Sequence, residues 1–196
     1  ECKGECFLVV YADDFIAGFQ YPWEAERFYE QLRSRMVKFG LELEENKSRI
    51  VESGRYLASL KAKRGESTRL GTFDFLGFTF YCGRTTKGNP WIMPKTSSKK
   101  FRQKVKEIKI WLYNNKEQKL GKLMYMLNVK LVGHYRYYGI SFNSRMISNY
   151  KQQVRELLYK VLNRRSEKKS YTREGFIEMM KYYKLVNPKI YYSLFC

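Results

Sequence analysis

Apolar residues fall along this chain in two rhythms. Near the start they run continuously. Phe7–Tyr11 (FLVVY) and Phe15–Phe19 (FIAGF) are β-prone stretches separated by a turn holding Asp13 and Asp14, the pattern of a β-hairpin with two carboxylates at its tip. A helical rhythm follows, because Ala25, Phe28, Leu32, Met36 and Phe39 form one apolar stripe. Pro22 suits its first turn and Gly40 the position past its end, so a helix is predicted from Pro22 to about Lys38. Leu41–Leu43 and Arg49–Val51 read as short strands, and the basic, Gly-punctuated residues 54–71 as a loop. Phe73–Tyr81 (FDFLGFTFY) alternates aromatic residues with others and predicts a strand pair bending near Gly77.

Beyond this point helical spacing dominates. Ser97 or Ser98 can cap a helix to about Tyr113, whose apolar residues Phe101, Val105, Ile108 and Leu112 share one face. Further helices are predicted from about Leu120 to Tyr138, from about Ser144 to Leu162, and from a Thr172 cap to about Tyr183. The expected fold class is α+β: a small antiparallel β part with one helix, then a helical part.

Composition sharpens this division. The chain has 196 residues, enough for one ordinary domain or two small ones, and 44% are hydrophobic, which argues against wholesale disorder. Its formal charge is +19. Residues 1–82 hold 12 Lys/Arg against 13 Asp/Glu, whereas residues 83–196 hold 26 against 6. The front is near neutral and contains all three Asp residues, Asp13, Asp14 and Asp74; the back is a cation that calls for a polyanionic partner. A break within Gly83–Pro94 fits the shift. The expected domains are 1–82, a basic helical part at 83–167, and a helical tail at 168–196.

Four cysteines without a CxxC pair, and a single His, argue against a zinc site and fit free thiols in a reducing compartment. No stretch approaches a membrane span and no signal peptide is visible, so a cytoplasmic protein working with nucleic acid is expected, with no membrane partner. Glu1 is not a Met, so the natural N-terminus is expected to be missing or processed.

Two adjacent carboxylates at a tight tip repel each other unless a cation sits beside them. Hard divalent ions, above all Mg²⁺, accept such ligands and keep places for water and phosphate oxygens. Taken alone, YADD reads more readily as an ordinary solvated turn than as a metal site. The flanking apolar strands favour the metal, because they would hold the turn rigidly.

VVYADDFIAGF resembles the catalytic hairpin of reverse transcriptases, and LELEENKSRI (residues 41–50) and FDFLGFTF (residues 73–80) resemble the two blocks that follow it in that family. LVGHYRYYGI (residues 131–140) and LNRRSEKKSY (residues 162–171) resemble the thumb, or maturase-specific domain X, of group II intron reverse transcriptases. The resemblance covers nearly the whole chain and implies a partial polymerase palm followed by a basic α-helical thumb, with a possible DNA-binding region in the tail.

The resemblance implies RNA-directed DNA synthesis with Mg²⁺ and dNTPs on an RNA template–DNA primer duplex. It also implies a maturase role, binding the intron RNA and helping it splice. Asp13 would be the direct metal ligand and Asp14 the supporting carboxylate, together the catalytic pair. Tyr11 and Ala12 would line the path of the primer end, and Lys47 would face the nucleotide phosphates or remain a surface lysine. Phe75, Leu76, Gly77 and Phe78 would grip the primer, or serve as strand core, or both. Target DNA and a second copy of the chain complete the implied partners.

The family needs a third carboxylate on an upstream strand, which these residues do not include, so the chain alone is not expected to polymerise. Robust Mg²⁺-dependent primer extension by the purified chain would refute that expectation.

In the basic part, Lys99, Lys100, Arg102, Lys104, Lys106 and Lys109 would contact RNA phosphates, joined by Arg136, Arg164, Arg165, Lys168 and Lys169. Tyr135, Tyr137, Tyr138, Tyr150 and Tyr159 would stack on unpaired bases or pack the helices, with Tyr137 and Tyr138 facing different ways. His134 is expected to be a hydrogen-bonded structural residue rather than a catalyst. Two alternatives stay open: a truncated or domesticated maturase that only binds RNA, and another bacterial reverse transcriptase of retron or defence type. The thumb motifs argue against the second.

Overall fold

A computed structural model of the chain describes residues 2–44, 48–67, 70–164 and 171–194. Strands β1 (Cys6–Tyr11) and β2 (Asp14–Phe19) pair antiparallel, in a register that sets Val9 against Ile16 and Tyr11 against Asp14. Helix α1 (Pro22–Lys38) follows, and its Phe28 packs on Phe19 at 5.2 Å between ring centroids. Glu24, in the first turn of α1, is buried; its Oε1 accepts from the backbone N–H groups of Lys3 and Gly4, at 2.5 and 3.4 Å. That carboxylate also faces the positive end of the helix dipole.

Three sequence expectations need correction here. Arg55–Lys63, expected in a loop, forms helix α2: it buries Ala58, and Arg55 lies over the Trp91 ring at 5.4 Å. Gly54 and Gly65 bracket this helix rather than punctuate a loop. Leu41–Leu43 and Arg49–Val51 are not strands. An extended segment becomes a strand only against a neighbour, and the ties found here are isolated ones, such as Arg49 Nη2 to the Thr72 carbonyl at 2.8 Å. Finally, the stretch Gly83–Pro94, expected as turns at a break, carries regular structure: it is a hairpin. Strands β3 (Phe73–Phe75), β4 (Phe78–Arg84) and β5 (Pro90–Thr96) form a small antiparallel sheet in that order. The prolines of β5 disguised it, yet β5 is an edge strand, where missing N–H donors are tolerated.

The remaining helices match the predicted ones: α3 (Ser98–Asn114), α4 (Leu120–Tyr138), α5 (Ser144–Leu162) and α6 (Arg173–Tyr182). Ser97 Oγ accepts from the Lys100 N–H at 3.3 Å, and Thr172 Oγ1 from the Gly175 N–H at 3.1 Å, so both predicted caps form. The core lies among these helices, around Leu112, Leu127, Leu131, Tyr135, Val154, Leu158 and Phe176.

Asn143 is fully buried and binds three groups at once. Its Oδ1 accepts from the Thr96 N–H, and its Nδ2 donates to Thr96 Oγ1 and to the Tyr138 carbonyl, each at 2.8 Å. One amide thereby ties the end of β5 to the end of α4 and the start of α5. At Gly139 the returning tail passes so closely that a Cβ would lie 2.3 Å from the Tyr135 carbonyl oxygen and 2.4 Å from that of Lys189. Only glycine fits there.

By its contacts the chain divides into two compact units, Glu1–Leu76 with Phe80–Ile92, and Gly77–Thr79 with Met93–Cys196. The second takes in the C-terminal tail, whose order is helix α6 followed by an extended end. The fold class is α+β, as expected.

Candidate nucleic-acid interface

The register of β1 and β2 leaves a two-residue turn, Ala12-Asp13. Ala12 sits at φ +50°, a sparsely populated region for a residue with a Cβ. Asp13 and Asp14 are both exposed. Among the described residues no group of three or more His, Cys, Asp and Glu gathers as a metal site. Mg²⁺ commonly takes one or two carboxylates and fills its shell with water and phosphate oxygens, so the donor chemistry of this pair fits an open-sided magnesium site. Tyr11 is exposed beside it.

Phe75–Phe78 forms the turn between β3 and β4. Leu76 and Gly77 both have positive φ, +49° and +80°, the signature of a type I′ hairpin turn. Gly77 fits tightly, since an added Cβ would lie 3.2 Å from Tyr138 Oη. Its carbonyl accepts from the Ser97 N–H at 3.0 Å. Phe78 packs against Tyr137 and Tyr138, with ring centroids 6.0 and 5.3 Å away. The strand-core reading therefore holds for Phe78.

On α3, helical geometry sorts the cations. Lys99, Arg102, Lys106 and Lys109 are exposed. At about 100° per residue they fall within an arc of roughly 80° and span about 15 Å. Lys100 is also exposed but lies about 140° around the helix from the centre of this ridge, on the side of Lys104. Lys104 turns elsewhere: it is half-buried and binds Glu107 at 2.8 Å. Lys104 also helps hold the Glu107 carboxyl below its ordinary value, through their hydrogen bond.

Most of the tyrosines singled out from sequence face the core. Tyr135, Tyr138 and Tyr150 are buried, so they are not available to stack on bases. Burial pushes the hydroxyls of Tyr135 and Tyr150 well above the usual phenol range, and Tyr135 Oη has no hydrogen-bond partner. Tyr159 is half-buried beneath Arg173, 4.1 Å from guanidinium carbon to ring centroid. Tyr137 is exposed while its neighbour Tyr138 is buried, as adjacent helix positions require. His134 is structural: its ring lies 3.7 Å from that of Tyr150 and 4.7 Å from that of Tyr138. Burial first, and the nearby Lys104 second, lower its pKa to about 4.

Arg164 is exposed and donates to Tyr113 Oη at 2.6 Å. Lys47, Arg165, Lys168 and Lys169 lie outside the described residues. Arg136 is exposed on the outer face of α4, where it borders a groove of about 750 Å³ together with Tyr125, Asn128, Val129 and Lys184. Apart from Arg136, these groove residues escaped sequence reasoning. Their signal was the helical spacing of Tyr125, Val129, Val132 and Arg136 on the side of α4 opposite its core face.

A helical bundle with one cationic ridge and a large positive charge belongs, by class, to the domains that bind polyanions. Residues 98–183 match the family model described as group II intron, maturase-specific domain. That stretch of the chain is similar to a group II intron maturase-specific domain, and the likeness implies intron RNA binding. Neither the curated proteins nor the solved structures include a match to the chain. Among the described residues, no helix is long and apolar enough to cross a membrane.

Proposed function

We propose that the chain joins the active-site hairpin of a reverse transcriptase palm to the thumb of a group II intron maturase. The observation that carries this reading is the co-occurrence of two features: a stretch matching a maturase domain, with a cationic ridge on α3, and a tight hairpin with Asp13 in its two-residue turn and Asp14 beside it. The RNA role needs no chemistry from the protein, since phosphate contacts from the ridge would supply affinity for the folded intron.

In the DNA-synthesis role, Asp13 would bind Mg²⁺ directly and Asp14 would support it. The bound ion would activate the primer hydroxyl and neutralise charge on the nucleotide phosphates. Tyr11 and Ala12 would border the primer end. The type I′ turn at Phe75–Phe78 would position the primer strand, its rigidity supported by the packing of Phe78 and the tight seat of Gly77. An RNA template–DNA primer duplex, dNTPs and target DNA are the partners of this role.

The test separates the two roles. In the protein that carries this chain together with an upstream catalytic strand, Asp13→Asn should abolish cDNA synthesis and leave affinity for a group II intron RNA largely intact. Equal loss of both would make the hairpin a structural element. RNA binding without any Mg²⁺-dependent synthesis would favour a maturase that acts only as a splicing factor.

A further inference from the structure

The groove on the outer face of α4 has the makings of a second RNA contact, distinct in chemistry from the ridge on α3. Tyr125, Asn128, Val129, Val132, Gly133 and Arg136 line it from α4, at spacings that keep them on one face. The opposite wall is the segment after α6, and Asn128 fastens it there: Nδ2 donates to the Lys184 carbonyl and Oδ1 accepts from the Val186 N–H, both at 2.9 Å. The groove is thus built and braced rather than a gap between loose side chains. Its floor is apolar, with Leu185 buried and Val132 and Val186 half-buried.

Three features identify the occupant. Tyr125 stands 72% exposed at one end, a ring free to stack. Arg136 lies about 16 Å further along the helix, and Lys184 is on the facing wall; no acidic side chain lines the groove. Gly133 sits in mid-helix, where glycine costs stability relative to alanine, yet nothing lies within 4 Å of where its Cβ would be. Packing inside the protein therefore does not explain it, whereas close approach of a ligand to the helix backbone does.

We propose that this groove binds unpaired nucleotides of RNA, with a base stacked on Tyr125 and the backbone phosphates met by Arg136 and Lys184. An RNA duplex offers mainly phosphates and hydroxyls to a protein, whereas a splayed loop offers ring faces suited to an apolar floor and a tyrosine. The proposal rests on the RNA-binding reading of the maturase domain and names where single-stranded segments would dock.

Fluorescence anisotropy of the whole chain with a labelled oligouridine and with a blunt RNA duplex tests it. Tyr125→Ala should weaken oligouridine binding about fivefold or more, with duplex affinity within about twofold. Gly133→Leu should do the same by filling the groove, and Gly133→Ala should raise the melting temperature while weakening oligouridine binding. Circular dichroism confirms that these surface variants stay folded. Unchanged oligouridine affinity in both Tyr125→Ala and Gly133→Leu overturns the proposal and leaves the groove to an apolar peptide. Equal weakening on both probes also overturns it. If the unaltered chain binds neither probe, the RNA-binding reading itself fails.

Discussion

Replacing Lys99, Arg102, Lys106 and Lys109 together by glutamine tests whether the ridge on α3 is where intron phosphates sit. All four are exposed, and helix geometry puts them on one face. Each phosphate neutralised contributes about 0.7–0.9 to the slope of log affinity against log salt. If all four make contact, the slope should shrink by about 3 units, so a tenfold rise in salt would cost the unaltered protein about a thousandfold more affinity than the variant. Glutamine has a helix propensity close to those of Lys and Arg, so the helix should persist. Lowering the net charge from +19 should also relieve self-repulsion. Lys104→Gln is the internal control: its ammonium is half-buried and bound to Glu107, so its slope change should be well below that of a ridge residue. Filter binding of a group II intron RNA across a salt series reads all three proteins. An unchanged slope in the fourfold variant would refute the ridge, and so would a Lys104→Gln effect as large as that of a single ridge substitution.

Three further outcomes follow from the packing. His134 is the chain's one histidine, so its proton NMR titration is unambiguous in untagged protein. Its pKa is lowered in the fold from 6.5 to about 4, so its contribution to stability is full above about pH 6.5 and falls as pH drops towards 4. That loss should total about 3 kcal/mol, and a resonance titrating near 6.5 would contradict the stacked, buried ring. Asn143→Leu should cost about 3–5 kcal/mol in urea unfolding, because it strands the Thr96 N–H and the Tyr138 carbonyl without partners; a loss below about 1 kcal/mol would mean water replaces the amide. Gly77→Ala should destabilise by about 1–3 kcal/mol, since its φ is +80° and its Cβ would crowd Tyr138 Oη; an unchanged melting temperature would dismiss that constraint.

The helices were legible because their periodicity and caps are local. Ser97 and Thr172 announce α3 and α6 within a few residues, and the Tyr11–Asp14 hairpin follows from two apolar runs around a short polar gap. What escaped depends on distant partners. Strand β5 hides behind Pro90 and Pro94 and exists because β4 accepts it at the sheet edge. Helix α2 is set by the burial of Ala58, which a basic, glycine-flanked sequence does not advertise. In the candidate site, charge counting named the cations of α3 but could not tell Lys104 from its neighbours; that required seeing Glu107 one turn away. Aromatic content likewise suggested base stacking by Tyr135, Tyr138 and Tyr150, which three-dimensional packing assigns to the core. The groove on α4 depends on Lys184 and Val186, dozens of residues away from Asn128 in the chain.

The β1–β2 hairpin has a consequence for the 196-residue chain by itself in solution. Phe7, Leu8, Val9, Val10 and Tyr11 are all exposed, and β1 and β2 form a sheet of only two strands among the described residues. Such a sheet has open edges, each a template for another strand, and the apolar side chains would be shielded by that union. The chain's strong positive charge protects this element poorly, because the surplus resides in residues 83–196 while residues 1–82 are near neutral. Long-range repulsion between copies therefore comes from a different part of the molecule, and ordinary buffers screen it beyond about 10 Å. Colloidal behaviour should accordingly turn with ionic strength: dispersed at low salt, and drawn into strand-paired clusters as added salt removes the repulsion that keeps the hairpins apart.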